Sequence, residues 1–84
     1  MAKAYKYDGQ NHLVSGEGRV KVAIKYGLDV VATGGKHGRK IMTPDGSSIA
    51  VSGHDVWANA IFGQMIEHGC DPVKLNAAFK AAKV

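Results

Sequence analysis

Ser15-Gly16-Glu17-Gly18-Arg19-Val20-Lys21-Val22-Ala23-Ile24-Lys25-Tyr26-Gly27 can be read as a helix or as a strand, and the layout of the whole chain turns on which it is. As a helix, Ser15 caps it, Glu17 stands in the first turn beside the amide ends, and Gly27 supplies the stop. Val20, Ala23 and Ile24 then share a face, and Glu17 with Lys21 makes a favourable pair one turn apart. As a strand, Val20, Val22, Ile24 and Tyr26 alternate with Arg19, Lys21, Ala23 and Lys25, and the β-branched content favours that pattern. Gly16 and Gly18 weaken a helix start. Periodicity alone leaves both readings open.

The residues that follow are easier. Asp29-Val30-Val31-Ala32-Thr33 is strand-like, Arg39-Lys40-Ile41-Met42-Thr43 is a second strand, and Ser48-Ile49-Ala50-Val51-Ser52 alternates as a third. Pro44-Asp45-Gly46 between the last two is a turn with a clear mechanism: proline presets one dihedral and glycine supplies the other. Connections this short imply an antiparallel meander. Residues 55–68 read as a helix capped by Ser52 or Asp55, with Trp57, Ala60, Ile61 and Met65 on a stripe widened by Val56, Phe62 and Ile66. That stripe is expected to be core and to lie across the sheet. His68-Gly69 ends it. Asp71-Pro72 opens a further helix, with Leu75, Ala78, Phe79 and Ala82 inward and Lys74, Lys80 and Lys83 in solvent.

Residues 1–14 admit either a hairpin or a basic arm. In the hairpin, Ala4 to Tyr7 pair with Leu13 and Val14 across the Asp8-Gly9 turn. In both cases Lys3 and Lys6 beside Tyr5 and Tyr7 suit stacking and phosphate contact.

With 84 residues the chain is a single domain, residues 1–84, and its core is small enough that a homodimer or a partner complex fits. The net charge of +4 favours an anionic partner such as nucleic acid. One cysteine, Cys70, excludes an internal disulfide and a cysteine-based zinc finger, and it reads as a small, partly buried residue without chemistry. The four histidines show no close ligand spacing, so no metal and no cofactor are expected. Neither a Walker loop nor a dinucleotide fingerprint occurs, and the scattered carboxylates argue against a carboxylate-driven hydrolase. No apolar run is long enough to cross a bilayer, and Met1 to Lys6 resembles no signal peptide, so the expected location is the cytoplasm.

The loop between the first two meander strands concentrates the chemistry. Gly34-Gly35-Lys36-His37-Gly38-Arg39-Lys40 holds three glycines, three permanent cations and a histidine. Glycines allow close backbone approach, the cations suit phosphate, and histidine moves protons near neutral pH. The amides of Gly34 and Gly35 can form a small anion nest. Arg39 and Lys40 should face opposite ways once the strand has begun.

The arrangement of Tyr26-Gly27, Gly35-Lys36-His37, Thr43-Pro44-Asp45-Gly46, Ile49-Ala50-Val51 and Gly53-His54, followed by a helix, resembles the HicA family of toxin ribonucleases. The resemblance spans about residues 19–69. It implies an α+β fold like that of double-stranded-RNA-binding domains: a three-stranded antiparallel sheet with helices on one face, in the order α-β-β-β-α. The N-terminal residues and the last helix would be additions. It thereby tips residues 15–27 toward helix. Gly35 matches the family's motif glycine and His37 its catalytic histidine, while Lys36 stands where the family has serine. His54 falls near the second family-like histidine, without the proline expected before it. The implied function is RNA binding, with metal-independent endoribonuclease activity using His37 as general base. Gly35, Lys36, Arg39, Lys40 and His54 would contact RNA, and an inhibitory antitoxin-like protein would be the partner. Two other readings stay beside it. One is a non-catalytic nucleic-acid-binding module on the same scaffold; the other is a protein-interaction domain using Tyr5, Tyr7 and the last helix.

Overall fold

A computed structural model describes residues 7–35 and 38–84. The elements, in order, are β1 (Leu13–Val14), α1 (Gly16–Tyr26), β2 (Val30–Ala32), β3 (Arg39–Met42), β4 (Ser48–Val51), β5 (Val56–Trp57), α2 (Ala58–Glu67) and α3 (Pro72–Ala82). The run 16–26 is therefore a helix. Ser15 accepts a hydrogen bond from the Gly18 amide at its start. At its end Gly27 takes φ 102°, and Leu28 N–H reaches back to the Ala23 carbonyl at 2.9 Å. This is the left-handed glycine close that leaves few terminal carbonyls unpaired.

The two glycines that argue against a helix have tertiary reasons. A Cβ on Gly16 would lie 2.9 Å from the Ser52 carbonyl oxygen, and one on Gly18 would lie 2.9 Å from Val14 Cγ1. The helix start is pressed against β1 and the segment after β4, where only a bare backbone fits. Val22 and Ala23 are fully buried, but Ile24, expected on the inner face, is 60% exposed.

β2, β3 and β4 form the expected antiparallel meander in that spatial order. Register pairs Val30 with Ile41 and Ile41 with Ile49 on the row facing the helices, and Val31 with Lys40 and Lys40 with Ala50 on the opposite row. Ile41, Ile49 and Val51 are buried, whereas Val31, Lys40 and Ala50 are exposed. The sheet thus has one covered and one open face, and the fold is α+β with its helices on one side. Phe62 and Met65 of α2 and Leu75 and Phe79 of α3 complete a single core with the sheet and α1. Asp71 caps α3 by accepting from Lys74 N–H at 2.8 Å, with Pro72 in its first turn. Tyr26 Oη accepts from the Asp71 amide at 2.8 Å, which ties the end of α1 to the start of α3.

Residues 13–14 form a strand that pairs with Val56 and Trp57, while Ala4 to Lys6, in the other arm of the expected hairpin, lie outside the described residues. Residues 56–57 accordingly belong to β5, and the helix begins at Ala58. Its cap is neither Ser52 nor Asp55: Asn11 Oδ1 accepts from the Asn59 amide at 3.0 Å, from far away in sequence. The same change turns Trp57 outward, 54% exposed beside Leu13 at 52%, so it leaves the core stripe, as does the exposed Ala60. Ile61, Phe62 and Met65 keep their inward places.

Residues 7–14 lie as a strap over the helices. Tyr7 stacks at 4.7 Å between centroids on Phe79 and 6.2 Å from Phe62. Asp8 forms an ion pair with Lys80 at 3.0 Å, and its amide donates to Asn76 at 2.9 Å. Tyr7 is therefore a packing residue and not a free stacking surface. Lys3, Tyr5 and Lys6 lie outside the described residues. No helix among the described residues is long and apolar enough to cross a membrane.

Candidate functional site

In an antiparallel meander, alternate connections fall at the same end. The 33–38 loop between β2 and β3 and the 52–55 segment after β4 therefore share one end of the sheet, and the N-terminus of α1 lies beside them. Ser15, Gly16, Glu17, Arg39, Ser52, Gly53 and Asp55 line an open cleft of about 260 Å³ there. Of the residues singled out from the sequence, Arg39 lines this cleft, and Gly35 and His54 belong to segments at the same end of the sheet. Lys40 stands on the exposed opposite row of the sheet, as strand alternation requires. Lys36 and His37 lie outside the described residues, so the general-base position falls there too.

The loop closes on itself on either side of those two residues. Thr33 N–H donates to the Gly38 carbonyl at 2.9 Å, and Gly38 N–H to the Gly35 carbonyl at 3.3 Å. A Cβ on Gly38 would collide with Thr33 Oγ1, so the hairpin needs glycine at that point. Gly34 and Gly35 do not adopt the left-handed conformation. Their contribution is open space: nothing lies within 4 Å of where a Gly34 side chain would start. An anion nest that depends on alternating backbone hand has no support at these two residues.

Arg39, the first residue of β3, points along the helix-facing row. Its Nη2 donates to Glu17 Oε1 at 2.7 Å, and the two side chains are 29% and 72% exposed respectively. The hydrogen bond and positive charge of Arg39 hold the Glu17 carboxyl below its ordinary value. Arg39 is thus steered away from Lys40 and already engaged by a carboxylate.

Beneath the cleft is a residue the sequence reading left on the surface of a strand or helix. Arg19 is 3% exposed. Its Nη1 donates to the carbonyls of Val14 and His54, both at 3.0 Å, and its Nη2 donates to the Ser52 carbonyl at 2.8 Å. One guanidinium therefore satisfies three backbone acceptors from β1 and the 52–55 segment, where the fixed fork geometry matches diverging carbonyls. Burial pushes the Arg19 guanidinium down from its ordinary value, while nearby Asp55 acts in the opposite sense. His54 enters this network through its backbone, and its side chain is exposed. No sequence signal distinguishes Arg19 from the other cations, because its partners are backbone carbonyls distant in the chain.

The far end of the sheet holds a cluster that resembles catalytic machinery. Ser47 Oγ lies 2.7 Å from His68 Nδ1, and His68 Nδ1 lies 3.2 Å from Asp45 Oδ2. A nucleophilic triad uses the two ring nitrogens separately, one for serine and one for the carboxylate. Here both partners share Nδ1, and Thr43 Oγ1 and Ser47 Oγ each donate to Asp45 Oδ1 at 2.7 Å. Those two hydroxyls, with the Ser47 amide, hold the Asp45 carboxyl far below the usual carboxylate range. The cluster is a brace between the Pro44–Gly46 turn and the end of α2. Cys70, close by, is buried, and burial pushes its thiol up, which disfavours the thiolate. Among the described residues no group of three histidine, cysteine or acidic side chains could hold a metal ion.

No protein-family model, curated protein or solved structure matches this chain.

Proposed function

We propose that this is a HicA-like RNA-binding domain, acting in the cytoplasm as a metal-independent endoribonuclease and held in check by an inhibitory partner protein. The observation that carries the RNA-binding part is the open cleft that Arg39, the 52–55 segment and the start of α1 line at the end of the antiparallel sheet from which β3 starts. A net charge of +4 favours a polyanion over a neutral ligand. Cleavage would proceed with His37 taking the proton of a ribose 2′-hydroxyl. The 2′-oxygen then bonds to phosphorus, the bond to the 5′-oxygen breaks, and the leaving oxygen takes up a proton from the imidazolium. Lys36 and Arg39 would balance the charge that builds on the phosphate.

Purified protein should cleave single-stranded RNA, and His37→Ala should abolish cleavage while leaving the thermal unfolding midpoint in place. Cleavage that survives the substitution would rule out this mechanism.

A second reading is a non-catalytic nucleic-acid-binding module. It is favoured by Arg39 and Lys40 occupying opposite faces, which spreads charge around the sheet instead of focusing it on one phosphate. In that case His37→Ala leaves RNA affinity almost unchanged, and affinity falls steeply with added salt through counterion release.

A further inference from the structure

We infer that Glu17 is a built-in competitor for the anion that Arg39 binds, so that this end of the sheet responds to polyanions and rejects single phosphates. The inference rests on the nucleic-acid reading and concerns the regulation of that same site.

A carboxylate and a phosphate present the same paired oxygens to a guanidinium, and each satisfies the same fork of N–H donors. Glu17 Oε1 takes one donor of that fork, Arg39 Nη2, at 2.7 Å. The pair is asymmetric: the arginine side chain is 29% exposed and the glutamate 72%. Arg39 is anchored at the start of β3, with Val51 opposite it on β4 and Ala32 on β2. Glu17 projects from the first turn of α1 into solvent, so it is the partner that can swing away. Its charge is not stranded when it does so, because the amide end of its own helix favours an anion at that position.

The cleft also contains Asp55, so an entering anion meets two carboxylates at its rim, with Arg39 beside it and the buried Arg19 below. Arg19 is committed to backbone carbonyls and offers its charge only at a distance. A lone phosphate must therefore compete with Glu17 for the Arg39 guanidinium, with Asp55 opposing its approach. A polynucleotide makes further contacts elsewhere, and Lys40 on the open face is available for one of them. Each phosphate it neutralises adds counterion release, which a single phosphate cannot supply.

The test is a double-mutant cycle on RNA binding, read by fluorescence anisotropy at low salt with a short labelled single-stranded oligoribonucleotide. The proteins are wild type, Glu17→Gln, Arg39→Ala and the double variant, each checked for an unchanged unfolding midpoint. Glu17→Gln should tighten binding about two- to fivefold, the range that an exposed pair supports. In the Arg39→Ala background the same change should restore nothing. Inorganic phosphate should compete poorly with RNA on the wild type and better on Glu17→Gln. An equal gain in both backgrounds would mean that Glu17 merely repels the ligand, and would overturn the inference while leaving the nucleic-acid reading intact. An unchanged affinity in Glu17→Gln would overturn it as well. Absence of binding by every variant would overturn the nucleic-acid reading and this inference with it.

Discussion

At one end of the three-stranded sheet the Thr43–Ser47 turn closes on His68; at the other, Arg39, residues 52–55 and the start of α1 line an open cleft. Both ends combine glycine, serine, a carboxylate and a nearby histidine, so composition alone does not separate them. Hydrogen-bond saturation does. Asp45 Oδ1 accepts from two hydroxyls and one amide, and the Asp45 amide in turn donates to the His68 carbonyl at 3.1 Å. That end has used its polar groups on itself. At the open end, saturation lies below the surface, in Arg19, and the exposed layer is a simple ion pair between Glu17 and Arg39. A firm polar floor under an exposed ion pair can meet a ligand without unfolding, whereas the closed brace has already paired Asp45 and Ser47 internally.

The sharpest way to break this contrast is to remove the floor. Arg19→Met should leave the carbonyls of Val14, Ser52 and His54 without their donor and cost about 3–5 kcal/mol, because three acceptors, each costing about 1–3 kcal/mol when buried and unsatisfied, lose it together. Urea denaturation measures it, and a loss below about 1 kcal/mol would show that Arg19 is dispensable. A smaller effect is expected from Gly16→Ala. The added methyl gains helix propensity of about 1 kcal/mol but must push away the Ser52 carbonyl, so a net loss of about 1–3 kcal/mol should result. A stabilised Gly16→Ala variant would mean that the helix start and residue 52 are not held together.

The smallest effect concerns the closed end and acid. Asp45's folded-state carboxyl is depressed, so its contribution is present above the ordinary carboxylate range and is lost as pH falls through the depressed value. The urea midpoint should therefore drop as pH is lowered from about 5 toward 2, and Asp45→Asn should flatten that drop. An unchanged acid profile in Asp45→Asn would show that the brace contributes nothing to stability.

Much of this molecule is legible in its residues. The meander, its Pro44–Gly46 turn, the Asp71–Pro72 helix start and the opposed faces of Arg39 and Lys40 all follow from local rules of dihedral preference and alternation. So does the closing role of Gly27. The missed features share one cause, which is dependence on a distant partner. Asn11 caps α2 across the fold, so no cap is readable near residue 58. Leu13 and Val14, which the sequence left open between strand and arm, pair with residues 56–57, and that pairing removes Trp57 from the helix and turns it to solvent.

The sequence by itself determined the three meander strands and the last helix in their order, because those depend on neighbours a few residues apart. Only the tertiary structure decided that Gly16 and Gly18 belong to a helix, since the close approach of Ser52 and Val14 that demands them cannot be read from periodicity. It also decided which cation is buried and which is paired. Arg19 and Arg39 have the same side chain; three converging carbonyls make one a structural post, and a carboxylate on an adjacent helix makes the other an exposed, displaceable contact.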